Sequence, residues 1–170
     1  NLLGQNWTTS QLSLDSYAAG QAATARADIV SNLEGGTSLL SYYGHSAPAS
    51  WSREGLITAN QVSGGLFNTV NQPFATVQLG CWGTYFVEPT STTVAHQLLL
   101  MPKGAAAVLG ASSLTESNSD LALANQLLPR LSNTTLGDAL LQAQQAVATE
   151  LPDAKDVILG GTLLGDPGLR

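Results

Sequence analysis

The stretch Phe-Ala-Thr-Val-Gln-Leu-Gly-Cys at residues 74–81 decides the fold, because its first six residues form an apolar run of strand length that ends at a glycine. Similar apolar runs occupy residues 38–43 and 105–110. None of the three alternates cleanly between apolar and polar side chains, which is typical of parallel strands covered by helices on both faces. We therefore interpret the three runs as strands of one central sheet.

Segments of helical character lie between and around these strands. From residue 17 to residue 33 the apolar side chains recur every three to four positions, which predicts a helix with one buried stripe. Four further helices are predicted, over residues 58–66, 92–101, 120–131 and 136–150. Residues 10–14 fit a further short strand. Strands that alternate with helices predict an α/β fold.

The composition bounds the class of protein. A chain of 170 residues with a net charge of −6 suits one domain. Only 11% of its residues are charged, well below the roughly 25% of ordinary soluble domains, and such surfaces are commoner on exported proteins. The six Lys and Arg residues are scattered, so nucleic acid is not an expected partner. No apolar run reaches the ~18 residues that span a bilayer.

The sequence offers neither a cofactor motif nor a disulfide. It contains no glycine-rich phosphate loop and no dinucleotide-binding fingerprint. Two histidines and one cysteine without close repeated spacing do not make a zinc site. The single cysteine excludes an intrachain disulfide. We therefore expect no cofactor and no metal.

Two reactive side chains follow the first two strands. Residues 44–46 read Gly-His-Ser and residues 80–82 read Gly-Cys-Trp. Ligands of open parallel sheets bind beyond the carboxyl ends of the strands, so His45 and Cys81 would share a crevice if their strands are neighbours. A histidine there can activate a thiol and protonate a leaving amine. The alternative is that Cys81 is a small buried apolar residue and His45 a solvated one.

Five motifs stand in order along the chain. They are Tyr-Tyr-Gly-His-Ser at residues 42–46 followed by Trp51, Cys-Trp-Gly-Thr-Tyr-Phe at 81–86, the apolar stretch 103–113, Thr-Leu-Gly-Asp-Ala-Leu at 135–140, and Leu-Leu-Gly-Asp-Pro at 163–167. From about residue 10 to the end, this series resembles the gingipain-type cysteine peptidases. The resemblance implies a caspase-like fold, a three-layer sandwich with a mainly parallel sheet flanked by helices.

The resemblance also implies a function and a set of roles. The chain would be a cysteine endopeptidase of a bacterium, secreted or at the cell surface, and its substrates would be proteins or peptides. Cys81 would be the nucleophile and His45 the proton donor to the leaving amine, while the backbone amides of Ser46 and Cys81 would form the oxyanion hole. The residues implied at the substrate are Gly44, Trp51, Gly80, Trp82, Ser112 and Ser113, with the loop 112–119 near the substrate side chain.

Two residues depart from the pattern of the resembled family. Ser46 stands where the family usually has a glycine, and its Cβ is expected to restrict the backbone that presents the oxyanion-hole amide. His96 stands where a glutamate is common, and we interpret it as structural.

The extent of the domain and two alternative functions stay open at this point. Residues 1–170 are expected to be a caspase-like catalytic subdomain that lacks its upstream first strand and helix, with an upstream segment of the same precursor as a further expected partner. One alternative is an inactive relative that acts as a binding or assembly module. The other is a sortase-like transpeptidase with the same dyad.

Overall fold

Strands and helices alternate along residues 2–4, 6–69 and 72–170, the part of the chain that the computed structural model describes. The strands are β1 (Leu39–Tyr43), β2 (Ser46–Ala47), β3 (Ser50–Trp51), β4 (Ile57–Thr58), β5 (Phe74–Leu79), β6 (Ala105–Ala111) and β7 (Gly161–Gly165). The helices are α1 (Ala22–Glu34), α2 (Ala59–Ser63), α3 (Val94–Leu100), α4 (Ser117–Leu127), α5 (Leu136–Glu150) and α6 (Lys155–Ile158). Asn1, where the predicted domain starts, lies outside the described residues.

One four-stranded sheet forms the middle layer. Its strand order is β1-β5-β6-β7. The first three strands are parallel, and β7 pairs antiparallel with β6 at the edge. A second, small antiparallel sheet of order β2-β3-β4 follows directly after β1. The predicted α/β fold with a mainly parallel sheet flanked by helices is confirmed.

The central strands bury side chains on both faces, which explains their unbroken apolar character. On one face Phe74 and Val108 pack in a core with Leu98 of α3. On the other face Val77 and Leu109 pack in a second core, with the buried sides of α4 and α5. Alternate residues of one strand thus enter opposite cores, because successive side chains of a strand point to opposite faces.

Threonine hydroxyls begin three of the helices. Each side-chain oxygen accepts a hydrogen bond from the backbone N–H three residues on, which satisfies one of the donors left free at a helix start. The pairs are Thr58 with Gln61 at 3.3 Å, Thr93 with His96 at 3.1 Å and Thr135 with Asp138 at 3.2 Å. The Thr135 cap thus begins the helix that the sequence predicts over residues 136–150.

The structure corrects two predicted elements near the start of the chain. Residues 10–14 form no strand, and a 3-10 turn at Leu14–Ser16 follows instead. The first helix begins at Ala22 rather than at residue 17, because residues 19–21 form a turn. Gly20 adopts a φ of +82°, a left-handed conformation that a helix cannot contain.

Candidate active site

The two strands that precede His45 and Cys81 are direct neighbours. β1 pairs in parallel with β5, and Tyr43 lies opposite Leu79 in their register. The Gly44 N–H continues the pairing by donating to the Leu79 carbonyl at 3.0 Å. His45 and Cys81 thus follow at equal positions on adjacent strands, which lie about 4.8 Å apart in a sheet. The two side chains were predicted to share a crevice if their strands are neighbours, and β1 and β5 are neighbours.

The two glycines bring the strand ends into close contact. A Cβ built on Gly80 would lie 2.2 Å from the Gly44 carbonyl oxygen and 2.7 Å from Ser46 Oγ. No side chain fits there, so Gly80 is required for this approach. Gly44 has a φ of +152°, and a Cβ there would lie 3.0 Å from the Tyr42 hydroxyl. Both glycines therefore act through close backbone approach.

Ser46 links the histidine segment to the cysteine segment. Its hydroxyl donates to the Cys81 carbonyl oxygen at 2.7 Å. In the small sheet Ser46 lies opposite Trp51. The next pair along, His45 and Ser52, is hydrogen-bonded, because the Ser52 N–H donates to the His45 carbonyl at 2.8 Å. Bonded and non-bonded pairs alternate in antiparallel ladders, so the Ser46 N–H points away from β3. Among the described residues with side chains, only Ser52 and Trp82 have positive φ, so the Ser46 Cβ does not strain its backbone.

The backbone of His45 is held by Tyr42. The Tyr42 hydroxyl donates to the His45 carbonyl oxygen at 2.6 Å and accepts from the Ser52 N–H at 3.0 Å. Burial raises the pKa of Tyr42 to about 12, so the hydroxyl keeps its proton over the physiological range. The imidazole of His45 is exposed. The backbone is therefore fixed while the side chain faces solvent.

Trp51 lies beneath this segment. Its ring stacks on Tyr42, with centroids 4.6 Å apart and planes at 12°. Its Nε1–H donates to Gln78 Oε1 of β5 at 2.9 Å. The side chain is only 1% exposed, which leaves no surface for a substrate. Trp51 thus packs against the Tyr42 ring. It does not face a substrate, contrary to what the resemblance implies.

Cys81 is half-buried against the loop after β6. The Thr115 N–H points at Cys81 Sγ at 3.4 Å, and the thiol lies 3.7 Å from the Thr115 carbonyl oxygen. The Thr115 hydroxyl donates to Asp120 Oδ2 at 2.7 Å. Neither Thr115 nor Asp120 was singled out from the sequence. Thr115 lies in the loop 112–119 that was expected near the site, but its contact with sulfur depends on the packing of β6 beside β5.

Asp120 is a buried carboxyl group close to the site. Its side chain is 5% exposed at the start of α4. Burial is the main cause that raises its pKa from 3.8 to about 6, opposed by the hydrogen bond from Thr115 and supported by the charge of Asp156. Strongly perturbed carboxyl groups cluster at functional sites. The site therefore contains a titratable group that the sequence did not reveal.

The turn after Cys81 is tied to the same loop. Trp82 has a φ of +54° and donates its N–H to the Ser113 carbonyl at 2.8 Å. A residue other than glycine in this conformation stores about 1–3 kcal/mol of strain, which is typical of functional sites. Ser112 is anchored in turn, since its N–H donates to the Gly160 carbonyl at 2.9 Å. The implied substrate residues Trp82, Ser112 and Ser113 thus border the cysteine turn.

Neither a metal-ligand cluster nor a membrane-spanning helix occurs in residues 2–4, 6–69 and 72–170. No group of three or more His, Cys, Asp or Glu side chains is arranged there to hold a metal ion. No helix in these ranges has the length and apolar character needed to cross a membrane. His96 lies on α3, where its N–H bonds to the Thr93 cap.

The comparison with protein families shows which family this chain belongs to. The model of peptidase family C25 matches residues 3–170. The chain belongs to peptidase family C25. The prediction of a gingipain-type family is confirmed, and with it the cysteine peptidase class of enzyme at the level of the family. No curated protein matches the chain.

Solved structures similar to this C25 member share its fold. The Arg-specific cysteine proteinase gingipain R (RgpB) is 20% identical with a TM-score of 0.69, and the match covers 85% of this chain and 35% of that one. The complex of Porphyromonas gingivalis RgpB pro- and mature domains is 19% identical with a TM-score of 0.73, covering 85% and 36%. A structure described as a protease is 16% identical with a TM-score of 0.71, covering 82% and 36%. The C25 member thus spans about a third of the length of these chains.

Proposed function

We propose that this C25 domain hydrolyses peptide bonds, with Cys81 as the nucleophile and His45 as the proton carrier. The observation that carries the proposal is the equal position of the two residues on the adjacent strands β1 and β5. The contact between Gly44 and Gly80 and the bond from Ser46 to the Cys81 carbonyl support it, because both bring the two segments together.

The proposed reaction has two stages. His45 takes the proton of the Cys81 thiol, and the sulfur attacks the carbonyl carbon of the scissile bond. The tetrahedral intermediate collapses, the C–N bond breaks, and the leaving amine takes the proton from His45. A water molecule, deprotonated by His45, then attacks the thioester. The acid product leaves, and the thiol regains its proton.

The proposed oxyanion hole consists of the Ser46 and Cys81 backbone amides. The Ser46 N–H faces away from β3, and the hydroxyl of the same residue holds it close to the Cys81 segment. A preorganised donor of this kind contributes a rate factor of roughly 10² to 10³. We propose that the closely packed backbones of Gly44 and Gly80 border the substrate backbone at this edge. We propose that Trp82, Ser112 and Ser113 contact the substrate near its reacting bond.

The same proposal includes the substrates, a partner and the location of the protein. The substrates are proteins or peptides, and an upstream segment of the same precursor is a partner. The solved complex of RgpB supports the second point, because it joins the pro- and mature domains of that relative. The low charge content of 11% supports a secreted or cell-surface location, and the Porphyromonas gingivalis origin of the RgpB relative supports a bacterial source.

The two histidines provide a matched experiment. We expect iodoacetamide to label the only cysteine, Cys81, and to abolish cleavage of a peptide library. Cys81→Ala and His45→Ala should each lower kcat/KM by roughly 10³-fold or more. His96→Ala is the control, because His96 lies on α3 outside the site, and it should cleave like the unaltered chain.

Three results would overturn the proposal or redirect it. Undiminished cleavage by Cys81→Ala would exclude a thiol peptidase. Absence of cleavage together with alkylation of Cys81 as slow as that of a free thiol would favour an inactive binding module. A product in which an added amine replaces water would favour the transpeptidase.

A further inference from the structure

Three polar atoms of Thr115, in the loop after β6, lie within hydrogen-bond reach of the Cys81 sulfur. Its N–H lies 3.4 Å from Sγ, its carbonyl oxygen 3.7 Å and its hydroxyl oxygen 3.9 Å. The N–H is a donor that favours a negatively charged sulfur as its acceptor. The position of Thr115 therefore decides how well its N–H can stabilise the negatively charged sulfur of Cys81.

Asp120 fixes Thr115 from behind. The Thr115 hydroxyl has one proton, and it donates that proton to Asp120 Oδ2 at 2.7 Å rather than toward sulfur. Asp120 itself is buried on α4, whose Leu123 and Leu127 pack in the second core. A rigid helix thus holds the carboxyl group, and the carboxyl group holds the loop.

We propose that Asp120 is a positioning residue which, through the Thr115 hydroxyl, keeps the Thr115 N–H directed at Cys81 Sγ. This inference rests on the proposed function, since it assigns a role in presenting the proposed nucleophile. The ionised carboxylate can only accept, which locks the Thr115 hydroxyl as donor. The protonated carboxyl group can donate instead, which releases the hydroxyl proton and loosens the loop.

The surroundings of Asp120 place the protonation of its carboxyl group at weakly acidic pH. Asp156 of α6 acts on it as a like charge and accepts the Glu116 N–H at 2.8 Å, with Lys155 exposed beside it. Near the start of α4, Tyr43 at the end of β1 donates its hydroxyl to the Ser117 carbonyl at 3.5 Å, Cys81 after β5 contacts Thr115, and α5 contributes the apolar face of the second core. Burial, supported by the charge of Asp156 and opposed by the hydrogen bond from Thr115, raises the pKa of Asp120 to about 6. The reactivity of Cys81 should therefore rise as the pH passes from 5 to 7.

The test uses the single cysteine as its own reporter. The rate of iodoacetamide alkylation is measured from pH 4.5 to 8.5 on the full chain. The unaltered protein should show a step near pH 6 that Asp120→Asn lacks, because the amide cannot ionise. Thr115→Val should lower the rate roughly tenfold, and Thr115→Ser should restore it. Asp138→Asn is the matched control, since Asp138 accepts a similar hydrogen bond from Thr135 at 2.9 Å on the start of α5.

The outcomes separate this inference from the proposed function. An Asp120→Asn profile that coincides with that of the unaltered chain overturns the positioning role, even where Cys81→Ala abolishes cleavage. A Thr115→Val rate equal to that of Thr115→Ser overturns it as well, and this pair decides the matter if Asp120→Asn does not fold. Failure of the peptidase proposal appears elsewhere, as undiminished cleavage by Cys81→Ala.

Discussion

At the scale of single residues, Gly80 sets the approach of the two strand ends. We predict that Gly80→Ala destabilises the chain by about 2 kcal/mol, because the added Cβ meets the Gly44 carbonyl at 2.2 Å and overpacking at a rigid contact has this magnitude. Cleavage should be lost with it. Urea unfolding and a peptide assay check both effects. Gly35→Ala is the control, because its Cβ meets nothing closer than 3.3 Å; equal losses in both variants would contradict the role of Gly80.

Tyr42 and Tyr43 are adjacent tyrosines with different tasks. Tyr42→Phe removes the donor to the His45 carbonyl but keeps the ring that stacks on Trp51. We predict a loss of about 1 kcal/mol in the free energy of unfolding and a lower kcat. Tyr43→Phe should change neither, since Tyr43 is 56% exposed. Denaturant unfolding and steady-state kinetics of the pair test this; a larger effect at Tyr43 would be inconsistent with it.

Asp120 should make stability depend on pH in an unusual direction. Its pKa is raised to about 6 in the folded chain, so between pH 4 and 6 the folded state binds more protons than the unfolded state. The free energy of unfolding therefore contains a term that falls as pH rises through this window, by roughly 1 to 3 kcal/mol. Urea titrations at pH 4, 5, 6 and 7 should show that Asp120→Asn lacks this term. An unchanged pH dependence in the variant would refute it.

The sequence revealed the candidate site only in part. His45 and Cys81 were identifiable because each follows a strand-like run, and the ends of parallel strands converge. Thr115 and Asp120 were not, because their contact with the thiol arises from the pairing of β6 beside β5. Trp51 was expected at the substrate, yet its burial under Tyr42 depends on the fold of β2 to β4.

At the scale of elements, predictability followed length and periodicity. β5 and α5 have the predicted limits, because a six-residue apolar run and a fifteen-residue amphipathic segment carry a clear pattern. β2, β3 and β4 contain two residues each, too few to show any period. These short strands are nevertheless the elements that turn the chain after His45 and direct the Ser46 amide.

The cap of α5 offers a test at this scale. Thr135→Ala removes the acceptor of the Asp138 N–H, and we predict a loss of about 1 kcal/mol in the free energy of unfolding. Thr134→Ala should have a smaller effect, because its hydroxyl lies 3.4 Å from Asp138 Oδ2. Cleavage should persist in both variants, since α5 packs in the second core. Equal stability of the two variants would show that the cap is not needed.

At the scale of the whole molecule, one sheet joins two cores. Leu98 is fully buried in the first core and Leu127 in the second. We predict that Leu98→Ala and Leu127→Ala each cost about 2 to 5 kcal/mol and shift a single transition, because β5 and β6 contribute side chains to both cores. Tryptophan fluorescence and far-ultraviolet circular dichroism should give coincident urea curves. Separate curves in either variant would show that the two layers unfold independently.

The central claim is that Cys81 attacks the peptide carbonyl. The most direct measurement is intact-protein mass spectrometry after rapid acid quenching of the full chain with an excess of peptide ester. We predict a mass increase equal to the acyl group, located on Cys81, with slower formation in His45→Ala and none in Cys81→Ala. Peptide cleavage at an undiminished rate with no acyl group on Cys81 at any time point would contradict the account.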